Sequence, residues 1–340
     1  MTTAVLPSPH THGARPVSQT MLLVMLALLP ATLSSFWHFG WPAVYLWLVT
    51  IVACVLAETL AVLLARRPLR PTLADGSAIL TGWLLALSLP PWAPWWIAAV
   101  GGVFAIIVVK QIFGGLGQNV FNPAMAARVV LLISFPLEMT RWIIPPSLGS
   151  GPGPVEALAI TFGSPSLADG ISGATVLDPA GGGFDVFTYS LGHHAGSMGE
   201  TSALLLAAGG VFLIVRGVIG LRIPSAFLLG VAVPAALAYT LVPDSQPSPL
   251  FHLLSGGVML GAFFIATDYV TSPSTPLGQW IFGLGCGLLT WIIRTWGAYP
   301  EGVAFAILLM NAATPLIDHY TRPRIFGRRR DGHSLASEER

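Results

Sequence analysis

Three stretches of the sequence hold residue types that could do chemistry. The first, Asp169-Gly170-Ile171-Ser172-Gly173-Ala174-Thr175-Val176-Leu177, gathers small side chains around a hydroxyl. Its glycines let a partner approach the backbone, its compact neighbours leave the Thr175 hydroxyl presented, and Asp169 could order the turn or hold a cation. On chemistry alone an ordinary Asp-Gly turn accounts for the same residues. The second, Gly114-Gly115-Leu116-Gly117-Gln118-Asn119-Val120-Phe121-Asn122-Pro123-Ala124, sets two amides three residues apart among glycines. Asn119 and Asn122 can each offer a donor and an acceptor, and a tight turn capped by Asn is the plainer alternative. The third is Glu58, a carboxylate inside an apolar run seven residues before Arg66. That places it about 10 Å along a helix from the charged end. An ionisable group at the centre of a membrane helix costs about 2.5–3.5 kcal/mol on insertion scales. Glu58 therefore binds a translocated cation, takes part in proton transfer, or pairs with an interfacial Arg.

The elements that must position these groups follow from composition. Of 340 residues, 54% are hydrophobic and 9% charged, with mean hydropathy +0.74. A soluble domain carries about 25% charged residues, so a water-facing surface cannot be built from this chain. Lys and Arg lie in short connections rather than on one face, which sets nucleic acid aside. Apolar runs predict helices at 20–36, 42–65, 77–90, 94–112, 124–136, 201–217, 223–242, 249–267, 277–294 and 302–317. The expected fold is thus an all-α integral membrane protein of about ten transmembrane helices. The runs at 77–90 and 124–136 are too short to span hydrocarbon unless tilted or broken.

The sixteen Lys and Arg set orientation, because cationic loops stay cytoplasmic. With the N-terminus inside, that side collects Arg15, Arg66, Arg67, Arg70, Lys110, Arg216, Arg222 and the basic tail, with Arg128 near the cytoplasmic end of its helix. The organisation expected is a cytoplasmic segment at 1–19, a five-helix half at 20–136, a periplasmic loop at 137–200, a second half at 201–317 and a basic cytoplasmic tail at 318–340. Residues 1–19 do not read as a signal peptide, since Trp37, Trp41 and another apolar run follow the first one directly. Lys110, Gly114 and Phe121 through Ala127 are echoed by Arg294, Gly297 and Phe305 through Ala313. If the echo is more than chance between apolar helices, the halves have inverted topology and a site lies between them.

Other features read as bland. Cys54 and Cys286 are small apolar side chains, and Trp92, Trp95 and Trp96 belong to an interfacial belt. Glu200, Asp268, Glu301 and Asp318 sit at helix ends, where solvation or capping explains them, and His193 and His194 have no carboxylate at metal spacing. There is no hydrolase triad, phosphate loop, dinucleotide fingerprint or cysteine set for an iron–sulfur cluster.

Asp-Gly-x-Ser-Gly-Ala-Thr resembles the flavinylation motif of membrane redox subunits that carry FMN esterified through its phosphate to threonine. The resemblance implies covalent FMN on Thr175, attached by a flavin transferase that recognises Asp169, Ser172, Gly173 and Ala174. Together with the Gly114–Ala124 stretch, Phe263-Phe264-Ile265-Ala266-Thr267-Asp268, Arg294 through Phe305, Gly199-Glu200-Thr201-Ser202 and Thr321-Arg322-Pro323-Arg324, it makes the chain similar to the RnfD components of Rnf complexes over about residues 20–326. That family implies electron relay between NADH and ferredoxin coupled to Na+ or H+ movement across the bacterial inner membrane, with the A, B, C, E and G components of the Rnf complex as partners. It also implies a noncovalent riboflavin, assigned here to Asn119 and Asn122. Rivals are the NqrB component of the Na+-translocating NADH:quinone oxidoreductase, whose N-terminal segment is longer, and a flavin-free secondary transporter.

Overall fold

The computed structural model describes residues 16–145, 151–163, 172–173, 186, 190, 192, 194–200, 202–242, 246–297 and 301–323. Asp169, Ala174, Thr175 and His193 lie outside the described residues, as do Arg15 and the tail from 324.

Apolar runs become helices because hydrocarbon offers no partner for backbone N–H and C=O groups, so each segment must satisfy its own. In chain order these are α1 (Val17–Phe39), α2 (Trp41–Leu64), the short α3 (Leu69–Leu73), α4 (Ser77–Ser88), and α5, which begins at Trp95–Val103 and continues in π register over Phe104–Gln111. Then come α6 (Pro123–Ser134), α7 (Pro136–Met139), α8 (Pro154–Phe162), α9 (Ala203–Val215), α10 (Arg222–Leu241) and α11 (Pro249–Leu254). Last are α12 (Val258–Leu260, continued in π register over Gly261–Ile265), α13 (Pro276–Trp296) and α14 (Val303–Tyr320). The one sheet among the described residues pairs β1 (Trp142–Ile143) antiparallel with β2 (Ser172–Gly173), Trp142 opposite Gly173.

Among the described residues five helices, α1, α2, α10, α13 and α14, are long and apolar enough to cross a membrane. Their outward faces carry Leu22, Leu56, Leu60, Leu237 and Leu309, each more than half exposed, while Glu58, Lys110 and Asn311 face inward and are buried. This polarity is the inverse of a soluble protein's, and the chain is an all-α integral membrane protein.

The helices begin and end within a few residues of the sequence-predicted limits, with one correction. The run 249–267 is not continuous: Ser255, Gly256 and Gly257 separate α11 from α12, with Gly256 at φ +65°. Apolar residues on both sides hid the break. The short runs are short helices, α4 and α6 having 12 residues each. At 1.5 Å per residue that is about 18 Å, little more than half of a hydrocarbon core about 30 Å thick. Cys54 and Cys286 are fully buried, as a small apolar role requires. Trp92 departs from the belt reading: it is buried, and its indole donates to Phe39 O at 3.1 Å.

Contacts sort the connections into two ends. At one, Arg67 after α2 donates to Gly114 O after α5 at 2.8 Å, Arg222 reaches Gln279 at 3.4 Å, and Ser274 N meets Asp318. At the other, Tyr45 donates to Pro154 O at 3.2 Å and Met198 N to Leu89 O at 3.2 Å. The closest packing joins α10 to α13 through glycines. A Cβ at Gly287 would lie 2.2 Å from Phe227 O, and one at Gly230 would lie 2.6 Å from Leu284 O. Small residues at such a seam let two backbones approach where lipid supplies no hydrophobic drive. Gly287→Val is expected to destabilise the protein by about 1–3 kcal/mol through overpacking. Gly220→Ala, where nothing lies within 4 Å, should be neutral, and thermal unfolding in detergent compares the two.

Candidate cofactor and ion sites

Two cavities lie at opposite ends of α4, and the first half of α6 borders both. The first sits where both helices begin. It encloses about 790 Å³ of empty space, part of it open to solvent, and is walled by Leu84, Leu213, Phe263 and Phe264. Its polar lining includes Ser77, Lys110, Asn119, Asn122, Thr267 and Asp268. The sequence pointed to the two Asn here, and both are buried.

Asn122 is the N-cap of α6: its Oδ1 accepts from Ala124 N at 3.1 Å and Met125 N at 3.3 Å, with Pro123 in the first helical turn. Its own N–H donates to Asn311 Oδ1 at 3.1 Å, and Asn311 Nδ2 donates to Thr271 O at 3.1 Å. Buried Asn311, midway along α14, thus ties the start of α6 to the segment after α12. Asn119 Nδ2 donates to Phe121 O at 3.0 Å. Among the described residues, Asn119 Oδ1 and Asn122 Nδ2 take no further hydrogen bond, so these amide ends remain for a ligand. Asp268 accepts from Val270 N and Thr271 Oγ1, and Asp318 from Ser274 N, in keeping with the capping reading of both.

Glu58 meets Lys110 rather than an interfacial Arg. The Lys110 ammonium donates to both Glu58 oxygens at 2.7 and 2.8 Å and to Ser77 Oγ at 2.6 Å, and Gln111 Nε2 donates to Glu58 Oε1 at 2.7 Å. Glu58 is 0% and Lys110 2% exposed, so the expectation of Lys110 among cytoplasmic loop charges is corrected. The π register at the end of α5, where Ile112 N bonds Ile107 O, carries Lys110 inside the bundle. A sequence period of 3.6 could not foresee that offset. Lys110 lies against the first cavity, and Ser77 opens α4 there.

The second cavity, about 340 Å³ of empty space, sits where α4 ends and α14 begins, between Ser88, Arg128, Ser197, Glu200 and Glu301. Arg128 pairs with Glu301, and Ser197 Oγ donates to Glu200 Oε1 at 2.8 Å. Glu200 lies close enough to Arg128 and Arg294 to interact electrostatically with both. Sequence reading put Glu200 and Glu301 at solvated helix ends and Arg128 near a cytoplasmic one. All three are instead buried together, because connections from both halves fold inward over the helix ends. Arg294 has a structural task as well, donating to His252 O at 2.8 Å and Ser255 O at 3.0 Å where α11 breaks off. His194 is buried in the same connection. Among the described residues no group of three or more His, Cys, Asp or Glu could hold a metal ion.

Of the threonine stretch, Ser172 and Gly173 are described, as the β2 partner of Trp142–Ile143 directly after α7. The backbone at Ser172–Gly173 is thereby paired with the segment that follows α7.

Removing one partner of a buried ion pair leaves an uncompensated charge and costs about 3–5 kcal/mol. Lys110→Met alone should therefore lower thermal stability by that amount. The double variant Lys110→Met with Glu58→Gln should recover most of it, a non-additivity that unfolding of all four forms measures.

Comparison with known proteins gives a consistent match along the chain. It is 52% identical over 337 residues, 94% of this chain and 95% of the relative, to the D component of the ion-translocating oxidoreductase complex of Stutzerimonas stutzeri. To the protein of the same name from Halorhodospira halophila (strain DSM 244 / SL1) it is 47% identical over 97% of both chains. To that of Escherichia coli O81 (strain ED1a) it is 45% identical over 95% of this chain and 98% of the relative. Residues 4–327 match the family described as NQR2, RnfD, RnfE, and the chain belongs to that family.

Proposed function

We propose that the chain is the RnfD-type membrane component of an Rnf complex and relays electrons between two flavins at opposite ends of its helical fold. Like its relatives, it is a subunit of an ion-translocating oxidoreductase complex. The observation that carries the flavin reading is the first cavity, whose position and chemistry fit an uncharged tricyclic ring with a polyol chain. Phe263 and Phe264 offer ring faces, while Asn119, Asn122, Thr267 and Asp268 offer hydrogen bonds at one side. These residues would hold riboflavin.

Covalent FMN on Thr175, with Asp169, Ser172, Gly173 and Ala174 as the transferase's recognition sequence, completes the relay. Bound flavin supplies a carrier for one or two electrons. The chain's residues orient each ring and, through paired buried charges, keep a low-dielectric interior intact between them. NADH and ferredoxin are handled by partners, since this sequence has neither a dinucleotide fingerprint nor a cluster-binding cysteine set. The partners are the A, B, C, E and G components, and the ion moved is Na+ or H+.

The arrangement also supports ten crossings in two inverted halves: α1, α2, α4, α5 and α6, then α9, α10, α11–α12, α13 and α14. In each half the fourth helix carries a cation to the third, Lys110 to Ser77 at the start of α4 and Arg294 to Ser255 at the break between α11 and α12. Equivalent helices α1 and α9 pack together, as do α6 and α14. Orientation follows the cationic loops, with Arg66, Arg67, Arg216 and Arg222 on the cytoplasmic side and the 137–200 connection in the periplasm of the inner membrane.

Expressed with a flavin transferase and denatured on a gel, the wild-type band should fluoresce under ultraviolet light and Thr175→Ala should be dark. A dark wild-type band beside a fluorescent control would bring the flavin-free transporter forward. Asn122→Leu should lose tenfold or more of the flavin released on denaturation while the covalent fluorescence persists. Loss of both, or of neither, would contradict the assignment.

A further inference from the structure

The second cavity has no part in holding either flavin, yet it contains the densest cluster of buried charge in the fold. Three of its polar atoms are left over. Glu200 Oε2, Glu301 Oε1 and Arg128 Nη1 are fully buried without a hydrogen-bond partner, in residues 2%, 8% and 6% exposed. All three residues line the cavity. Native proteins seldom leave buried polar atoms unpaired, and a cavity beside them is where an exchangeable occupant resides.

We propose that Glu200 is a proton-exchanging residue of this cavity, which it lines together with the Arg128–Glu301 pair. The inference rests on the ion-translocating reading of the complex. The two carboxylates are not equivalent. Glu301 is engaged by Arg128 through Oε2, whereas Glu200 is held only at Oε1, by the Ser197 hydroxyl. Its second oxygen faces no donor, and Gly196 preserves the room beside it: a Cβ there would lie 2.4 Å from Oε2. A proton entering from cavity water forms an O–H bond at Glu200 Oε2, leaves hydroxide or neutral water behind, and returns by the same bond breaking.

A metal cation is disfavoured on the same geometry. It would share the cavity with the Arg128 guanidinium, whose charge repels it and already engages one oxygen of Glu301. A proton needs one lone pair. The charged or titratable groups on the elements around Glu200 are Arg128 on α6, Arg294 on α13, Glu301 before α14, His252 on α11, His38 on α1 and His194 in its own segment; α4, α9 and α12 contribute none.

The test is infrared difference spectroscopy, acid minus alkaline, on the purified complex in H2O and D2O. A carboxylic-acid C=O band that shifts in D2O should be present in the wild type, lost in Glu200→Gln, and retained at a displaced frequency in Glu200→Asp. A band unchanged by Glu200→Gln overturns the proposal. So does one abolished at constant pH when choline chloride is replaced by sodium chloride, which would make a metal cation the occupant. If Glu200→Gln fails to assemble, Ser197→Ala decides: loss of the bond to Oε1 must shift the band, and an unmoved band overturns the assignment. Covalent-flavin fluorescence on the same samples separates the two readings. A fluorescent complex without the band removes the proton site alone, whereas a non-fluorescent one with a Glu200-dependent band removes the flavin relay alone.

Discussion

A backbone group that meets hydrocarbon without a partner costs several kcal/mol, and this chain ends helices where that penalty would fall. Helices α4 and α6 are little more than half a bilayer long, and α11 stops after six residues. At each of these helices a side chain closes an end. Asn122 caps α6 and is itself fixed by Asn311, Arg294 closes the carbonyls of α11, and Asp75 accepts the Ser77 N–H at the head of α4. Broken helices are tolerated only where they line something, and here their ends line the two cavities.

The buried charges obey the same constraint. Lys110 could not enter the bundle without Glu58, nor Arg128 without Glu301, because removing one member strands the other in low dielectric. The difference between the two ends is in completeness. At the Asn119–Asn122 end every oxygen of Glu58 is engaged, leaving a rigid polar wall suited to holding a neutral ligand. At the other end Glu200 and Glu301 each keep an unengaged oxygen, which suits an exchangeable occupant. The first end thus suits the proposed flavin and the second the proposed proton exchange.

Much of this was legible in the sequence, and what was hidden had physical causes. Long apolar runs announced α1, α2, α10, α13 and α14, since a membrane helix needs only length and composition to declare itself. The Asn119–Asn122 turn borders the first cavity, and Asn122 serves as the helix cap that an Asn before Pro123 suggests. Lys110 was misplaced because a π register, invisible to a helical period, turned it inward. Arg128, Glu200 and Glu301 were misread singly, since their pairing joins positions more than 70 residues apart. The break between α11 and α12 was signalled by Ser255-Gly256-Gly257 and masked by the apolar residues around it.

The central claim is that this chain holds two chemically distinct flavins, one tethered and one not. Its most direct test is the flavin stoichiometry of the purified chain, measured before and after acid precipitation. The account predicts two flavins per chain, with one released as riboflavin and one remaining in the pellet as FMN. Complete release of flavin, or a single flavin wholly retained, would contradict it.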